Sequence, residues 1–182
     1  MLLSAGVFAP VPGVTALNRD LLNKRILDRR LSGTGKVYTA HPFIDDFRQE
    51  LPIPLVHIVE ATLAEAKRRI SSGGWLVATS GTVASGIYQN EAQKWGYPLH
   101  VPADDVQPAI QETTALVKAN RTEEAAKQLR GALQRLWDEK NLPIVAACTE
   151  VPLAHAAADL PPEGMVSSLE ALASGCLREL YR

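Results

Sequence analysis

Short apolar runs alternate along this chain with longer segments whose apolar residues follow helical spacing. An apolar run such as 143–147 is typical of a buried strand, and a segment such as 122–140 is typical of a helix with one apolar face. Strand and helix in alternation indicate an α/β fold whose mainly parallel sheet is covered by helices on both faces. The predicted strands are 2–8, 55–59, 75–79, 99–101 and 143–147, and the predicted helices are 15–31, 61–70, 83–95, 103–118, 122–140 and 168–180.

Three loops follow predicted strands and are rich in glycine, proline or hydroxyl residues. They are 9–14, 80–85 and 148–152. Ligands of open parallel sheets bind past the carboxyl ends of the strands. We therefore expect the functional side chains in these three loops.

The charge balance and the apolar content exclude several classes of protein. The 182 residues carry 19 Lys and Arg against 20 Asp and Glu, a net charge of -1, and 46% of them are hydrophobic. Such a composition is globular and offers no basic surface to nucleic acid or to anionic lipid. There is also no run of 18 apolar residues that could span a membrane. We expect neither nucleic acid nor a membrane as a partner.

The N-terminus and the cysteine content bear on the compartment. Residues 1–10 are apolar but lack the basic start of a signal peptide, and the apolar run breaks at Pro10 and Pro12. The two cysteines, Cys148 and Cys176, are too few for a secreted disulfide scaffold and favour a reducing compartment. We expect a cytoplasmic protein.

Cys148 follows a predicted buried strand and precedes two polar residues, Thr149 and Glu150. This position directs its sulfur toward the expected site. If the next helix begins near Pro152, the free backbone N–H groups of its first turn favour the thiolate. The alternative is that Cys148 is a small buried apolar residue at a strand end. We interpret Cys176, which lies inside a predicted helix, as a packing residue.

Residues 76–88 combine a strand, a glycine turn loaded with hydroxyl groups and a helix start. This arrangement is typical of anion binding. The lysine of a phosphate-binding P-loop is absent, so the pattern favours a small carboxylate over a nucleotide. The alternative is that the hydroxyl groups only cap the helix.

His41 lies just before an acidic predicted helix start and could act as a general acid or base, or bond a backbone group. The other histidines, His57, His100 and His155, are far apart in sequence and lack the spacing of metal ligands. The sequence therefore predicts no metal site.

Several of these segments together resemble the cofactor-independent aspartate/glutamate racemases. Residues 147–153 (ACTEVPL) resemble the family motif GCTELPL, residues 76–88 resemble LLATxGTxxSGxY, and residues 39–41 resemble the end of CNTAH. Residues 168–173 resemble the start of the terminal DSxEALA helix, and residues 6–22 faintly resemble the first strand, turn and helix. The order and spacing of these motifs fit the family from Thr39 to Arg182.

The resemblance implies two Rossmann-like lobes with parallel sheets, related by a pseudo-twofold, with the active site in the cleft. Residues 1–58 and 153–182 would form a shortened N-lobe with a returning C-terminal helix, and residues 59–152 the C-lobe. In the family, two cysteines act on opposite faces of Cα without pyridoxal phosphate or metal. The resemblance therefore implies no cofactor, a small carboxylate or amino-acid ligand, and Cys148 as the acid–base group of the C-lobe.

The family motifs also assign substrate contacts. Lys118 matches a lysine that binds the side-chain carboxylate of the substrate, although a lysine at a helix end also complements the helix dipole. The residues predicted to bind substrate are Tyr38, Thr39, Thr79, Gly81, Thr82, Lys118, Thr149 and Glu150.

The sequence departs from the family pattern in its N-terminal part. Val37 takes the position of the first catalytic cysteine, prolines enter the turn 9–13, and residues 27–36 are too few for the strand and helix expected there. The group for the opposite face of Cα must then be Tyr38, Thr39 or His41. We favour His41, because its ordinary pKa is the best suited of the three to proton transfer near neutral pH.

Three functions are compatible with these residues. The first is a racemase of a small acidic amino acid that uses Cys148. The second is a single-cysteine decarboxylase or isomerase of the same superfamily, and the third is a non-catalytic member that binds a carboxylate or a partner protein. A shortened lobe exposes a sheet edge or an apolar patch, so we also expect a homodimer.

Overall fold

The computed structural model describes residues 55–181. The second of two compact units begins at Val56 and holds nearly all of them. The strand and helix predicted within residues 1–31, and the predicted site residues Tyr38, Thr39 and His41, lie outside the described residues. The division into a shortened N-lobe and a C-lobe stays a prediction.

The described part is built on one sheet of four parallel strands in the order β2-β1-β3-β4. All residues of β1 and of β3 are buried, as expected for the central strands of a sheet that is covered on both faces. The α/β architecture with a parallel sheet is confirmed. The strands are β1 (Gly74–Val77), β2 (Leu99–His100), β3 (Ile144–Ala146) and β4 (Met165–Ser167).

Seven α-helices connect and flank these strands in the described range. They are α1 (Ile58–Arg69), α2 (Ser80–Ser85), α3 (Ile87–Lys94), α4 (Gln107–Lys118), α5 (Thr122–Glu139), α6 (Val151–Ala157) and α7 (Ser168–Leu180), with a 3-10 turn at Pro162–Gly164. None of them is both long and apolar enough to cross a bilayer.

Apolar side chains fill both faces of the sheet. On one face, Leu129, Leu133 and Leu136 of α5 pack with residues of α4, α6, β1 and β3. On the other face, Leu63 of α1 and Tyr88 of α3 pack with residues of β1, β3 and β4. Helix α7 packs on α1 and β4. The two layers of helices hold the carboxyl ends of β1 and β3 side by side at one edge of the sheet.

The structure corrects the prediction of a turn at 80–82 followed by one helix over 83–95. Helix α2 already begins at Ser80, because Thr79 caps it with its hydroxyl oxygen. It ends at Gly86, whose φ of 69° is left-handed, and α3 starts from that residue. A glycine with a positive φ therefore divides what the periodicity presented as one helix.

The predicted strand 55–59 is wrong, because α1 begins at Ile58 and His57 caps it. A further difference is β4, which was not predicted. It has three residues, and it pairs with β3 through Ile144–Met165, Val145–Val166 and Ala146–Ser167. Three residues are too few for a period to be recognised, so pairing with β3 rather than local pattern defines this strand.

The outer face of α7 exposes large apolar side chains, among them Leu177 and Leu180. An exposed apolar face is compatible with association of two copies. The homodimer stays a prediction.

Candidate active site

Cys148 lies two residues beyond Ala146, the last residue of β3, where β3 pairs with β1. The N–H of Ala147 donates to the carbonyl oxygen of Val77 at 2.9 Å, so the pairing of the two strands extends to this edge. Cys148 itself is partly buried and packs against the apolar cluster under α4, α5 and α6. The structure thus brings the loops after β1 and β3 together, as the sequence predicts.

Two opposing effects set the proton affinity of the Cys148 thiol. Burial raises its pKa to about 11, although the backbone N–H groups of Val151 and Glu150 donate to the sulfur and lower the pKa. Helix α6 begins at Val151, so these are the N–H groups that the sequence analysis expects to favour the thiolate. Because burial outweighs them, the pKa of the thiol lies above its ordinary value and Cys148 is protonated at neutral pH.

Glu150 and Lys118 form an ion pair at this same loop. The Nζ atom of Lys118 lies 3.7 Å from Oε1 of Glu150, and the Glu150 side chain is only 15% exposed while that of Lys118 is 61% exposed. The two charges act on Cys148 in opposite directions, since Glu150 raises its pKa and Lys118 lowers it. Two predicted binding residues therefore meet beside the predicted catalytic cysteine.

The loop after β1 places the predicted residues Thr79, Gly81 and Thr82 at the start of α2. The Thr79 hydroxyl oxygen accepts a hydrogen bond from the Thr82 N–H at 3.3 Å and lies 3.0 Å from the Thr82 hydroxyl oxygen. The capping role that the sequence analysis gave as an alternative is present. Gly81 lies between Ser80, whose N–H is bound by Gln111, and Thr82, whose N–H is bound by Thr79.

Helix α4 carries a polar stripe that the sequence analysis missed. Gln107, Gln111, Thr114 and Lys118 are spaced i, i+4, i+7 and i+11, so they share one face of the helix. Gln111 accepts from the Ser80 N–H at 2.8 Å and Lys118 reaches Glu150, so the stripe spans from the loop after β1 to the loop after β3. This stripe could have been predicted from the sequence, because side chains with amide, hydroxyl and ammonium groups recur there at helical spacing, next to an apolar helix face.

Tyr88 is a second residue that sequence reasoning did not place at the site. Burial raises the pKa of its hydroxyl group to about 12, and the nearby side chains of Thr62 and Ser168 act in the opposite direction. The Thr62 hydroxyl donates in turn to the carbonyl oxygen of Ile58 at 2.6 Å. The charge of an ionised Cys148 also raises the pKa of Tyr88. This network ties α1, α3 and α7 together behind the site.

The remaining predicted residues are placed as follows. Thr149 is partly exposed between Cys148 and Glu150. His57 caps α1 by accepting the Val59 N–H at 3.3 Å, and burial lowers the pKa of His155. In residues 55–181, no three His, Cys, Asp or Glu side chains are grouped so that they could hold a metal ion.

A groove of about 570 Å³ lies elsewhere, between α4 and α5. Its charged side chains are largely paired, as in Arg121 with Glu124 and Arg135 with Asp105. Cys148 does not line it. The chemistry of the strand ends, and not the size of this groove, identifies the candidate site.

The sequence profile of the Asp/Glu/Hydantoin racemase family matches residues 37–174. The chain is also similar to the broad specificity amino-acid racemase RacX of Bacillus subtilis. The two are 27% identical over 159 residues, which cover 80% of this chain and 67% of that protein.

Solved structures share the fold. A homologue of aspartate racemase from Pyrococcus horikoshii superimposes with a TM-score of 0.65 at 20% identity, over 89% of this chain and 74% of the other. The aspartate racemase of Picrophilus torridus gives a TM-score of 0.56 at 22% identity, over 69% of this chain. The match spans about half, 52%, of that enzyme.

Proposed function

The chain belongs to the Asp/Glu/Hydantoin racemase family, and we propose that it is a cofactor-independent amino-acid racemase in which Cys148 delivers a proton to Cα. One observation carries the proposal. The Cys148 thiol lies between the buried strand β3 and the start of α6, and the backbone N–H groups of Glu150 and Val151 lower its pKa.

The proton that Cα gains comes from the thiol of Cys148. The S–H bond breaks and a C–H bond forms at the carbanionic Cα, which leaves a thiolate on the protein. The N–H groups of Glu150 and Val151 are the donors that stabilise this thiolate. With its pKa raised to about 11, the Cys148 thiol is a weaker acid than an ordinary cysteine, but it is still a far stronger acid than the Cα–H of an amino acid, so the proton passes to the carbanion.

The carbanion itself needs stabilisation, because the Cα–H of an amino acid is far less acidic than a thiol. Hydrogen bonds to the substrate carboxylate supply it, since negative charge develops there as the proton leaves. We assign this role to Thr79, Gly81, Thr82 and Thr149, which come from the loops after β1 and β3. Lys118 and Glu150 would meet the substrate side chain.

The opposite face of Cα requires a second group. Val37 stands where the family has a cysteine, so we propose that His41 removes or returns the proton there, with Tyr38 and Thr39 beside it in sequence. Replacing His41 by alanine should reduce turnover severely.

Stereoinversion tests the proposal. The purified protein is incubated with L-aspartate, L-glutamate and neutral L-amino acids, and the D-enantiomers are measured by chiral chromatography. We expect inversion by the wild type and by Cys176→Ala, and none by Cys148→Ala. Full activity of Cys148→Ala would exclude the mechanism.

A decarboxylase is the second candidate, and the protonated state of Cys148 favours it. Loss of CO₂ from a substituted malonate leaves an enediolate that needs only one proton donor, so the valine at position 37 would be no obstacle. Release of CO₂ from 2-substituted malonates in D₂O, with deuterium at Cα, would identify this activity.

A third candidate, a non-catalytic binder, predicts ligand-induced thermal stabilisation without turnover.

A further inference from the structure

Two side-chain oxygens in the described part of the chain are shielded from solvent and have no hydrogen-bond partner in the protein. They are the amide oxygens of Gln89 and Gln107. Buried polar atoms in folded proteins are nearly always paired, so each such oxygen calls for an explanation. Both glutamines bond the region of α2 through their amide nitrogens.

The orientation of the Gln107 amide is fixed by its partners. Its nitrogen donates to the carbonyl oxygen of Ala78 at 3.0 Å and reaches the Ser80 hydroxyl at 3.4 Å. A flipped amide would place two carbonyl oxygens at hydrogen-bond distance with no proton between them. The Gln107 oxygen must therefore point away from Ala78, and it accepts a hydrogen bond only when another group brings a donor.

The position of Gln107 distinguishes it from Gln89. Gln89 donates to Val83 in the body of α2, whereas Gln107 holds the last residues of the β1 end. Gln107 also begins the polar stripe of α4 that ends at Lys118 beside Glu150. Helix α4 packs against both α2 and α6, the two helices that follow β1 and β3.

The chemistry of an amide oxygen restricts what can pair with it. A carboxylate only accepts hydrogen bonds, whereas an ammonium group has three N–H donors and no acceptor. An amino acid at this edge offers both groups, and only its ammonium group can satisfy the free oxygen. We propose that the amide oxygen of Gln107 accepts a hydrogen bond from the α-ammonium group, so that Gln107 selects amino acids over the corresponding deaminated acids. This inference rests on the proposed function.

Gln111 provides a matched control on the same helix face. Its amide also holds the loop after β1, because it accepts the Ser80 N–H at 2.8 Å, and its nitrogen lies 3.5 Å from the Thr114 hydroxyl oxygen. Both of its polar atoms are therefore occupied. Replacing Gln111 by methionine loosens the loop without removing a free acceptor.

The test compares ligands that differ only in the ammonium group. Dissociation constants are measured by calorimetry for L-glutamate against glutarate and for L-alanine against propanoate, after circular dichroism has verified the fold. We expect Gln107→Met to reduce the preference for the amino acid about tenfold in at least one pair. Gln111→Met should weaken both members of a pair alike.

The possible results distinguish a failure of the proposed Gln107 role from a failure of the proposed racemase function. If the wild type inverts amino acids and prefers them, but Gln107→Met keeps the same preference, the role of Gln107 is refuted and the racemase stands. An equal loss of preference in Gln111→Met would also refute it, since loop position alone would then explain the effect. If the wild type binds none of the four compounds and inverts no amino acid, the proposed function and the inference fall together.

Discussion

The ammonium nitrogen of Lys118 lies 3.7 Å from Oε1 of Glu150, two residues after Cys148. The pair joins the end of α4 to the start of α6, and it places charges of both signs near one thiol. Lys118 lowers the pKa of Cys148, and Glu150 raises it. A residue pair that resembles an ordinary surface ion pair thereby adjusts the proton affinity of the proposed acid.

Removal of the Glu150 charge and removal of the Lys118 charge should shift the pKa of Cys148 in opposite directions. In a Cys176→Ser background, Glu150→Gln should lower the pKa of Cys148 and accelerate alkylation by iodoacetamide at pH 8, whereas Lys118→Met should raise the pKa and slow it. The rate follows the thiolate fraction, so the pH profile between 7 and 10 reports the shift. Glu123→Gln, at the start of α5, is the neutral control. Shifts of the same sign in both variants would contradict the electrostatic account.

Alkaline pH should destabilise the protein through Cys148. Its pKa is raised from 9.0 to about 11 in the folded state, so between these values the unfolded chain releases a proton that the folded chain retains. The free energy of unfolding therefore falls as the pH rises, and the contribution of this thiol is intact only below pH 9. Guanidinium titrations at pH 9 and at pH 10 measure this fall. Between these two values we expect the free energy of unfolding to fall by about 1 kcal/mol less in Cys148→Ala than in the wild type. Equal losses would show that burial does not set this pKa.

Gly73 should tolerate no side chain. Its φ is 103°, and an added Cβ would lie 2.9 Å from the Cβ of Pro98 and still closer to the carbonyl oxygen of Pro98. We expect Gly73→Ala to cost more than about 2 kcal/mol of stability. Gly96→Ala separates the strain of a positive φ from steric overlap, because φ at Gly96 is 62° and the space around it is open. We expect Gly96→Ala to cost about 1 kcal/mol. Gly131→Ala, in the open middle of α5, should instead stabilise by about 0.5–1 kcal/mol. Chemical denaturation measures all three.

Tyr88→Phe should weaken the contact among α1, α3 and α7. The variant removes the interaction of the Tyr88 hydroxyl group with the side chains of Thr62 and Ser168, both of which are buried. We expect a loss of about 1–2 kcal/mol in the free energy of unfolding. Tyr97→Phe, which removes a single bond to the carbonyl oxygen of Ile70, should cost less. A Tyr88→Phe variant as stable as the wild type would show that the network contributes nothing.

Local pattern predicted the elements whose period spans several turns. Helix α7 begins at Ser168 and ends at Leu180 as predicted, and α5 ends one residue before its predicted end. Ser167 caps α7 by accepting the Glu170 N–H at 3.4 Å, which fixes the start of that helix. Strand β4 escaped prediction because pairing across the sheet, and not its own three residues, defines it.

The candidate site shows the same division between local and tertiary information. Cys148 could be predicted because it follows a buried strand within a recognisable motif. Gln107 and Tyr88 could not, because their roles depend on contacts with Ala78 and with Thr62 and Ser168, which lie between 20 and 80 residues away in the chain. The net direction of the Cys148 pKa also could not be predicted, since burial and the N–H groups of α6 oppose one another and only packing decides the balance.

The most direct test of the central claim is hydrogen exchange at Cα. Proton NMR follows L- and D-aspartate and L- and D-glutamate in D₂O with the wild type and with Cys148→Ala. The account predicts loss of the Cα–H signal with inversion by the wild type, and no exchange beyond the enzyme-free rate by Cys148→Ala. Exchange by Cys148→Ala at the wild-type rate would contradict the assignment of Cys148 as the proton donor.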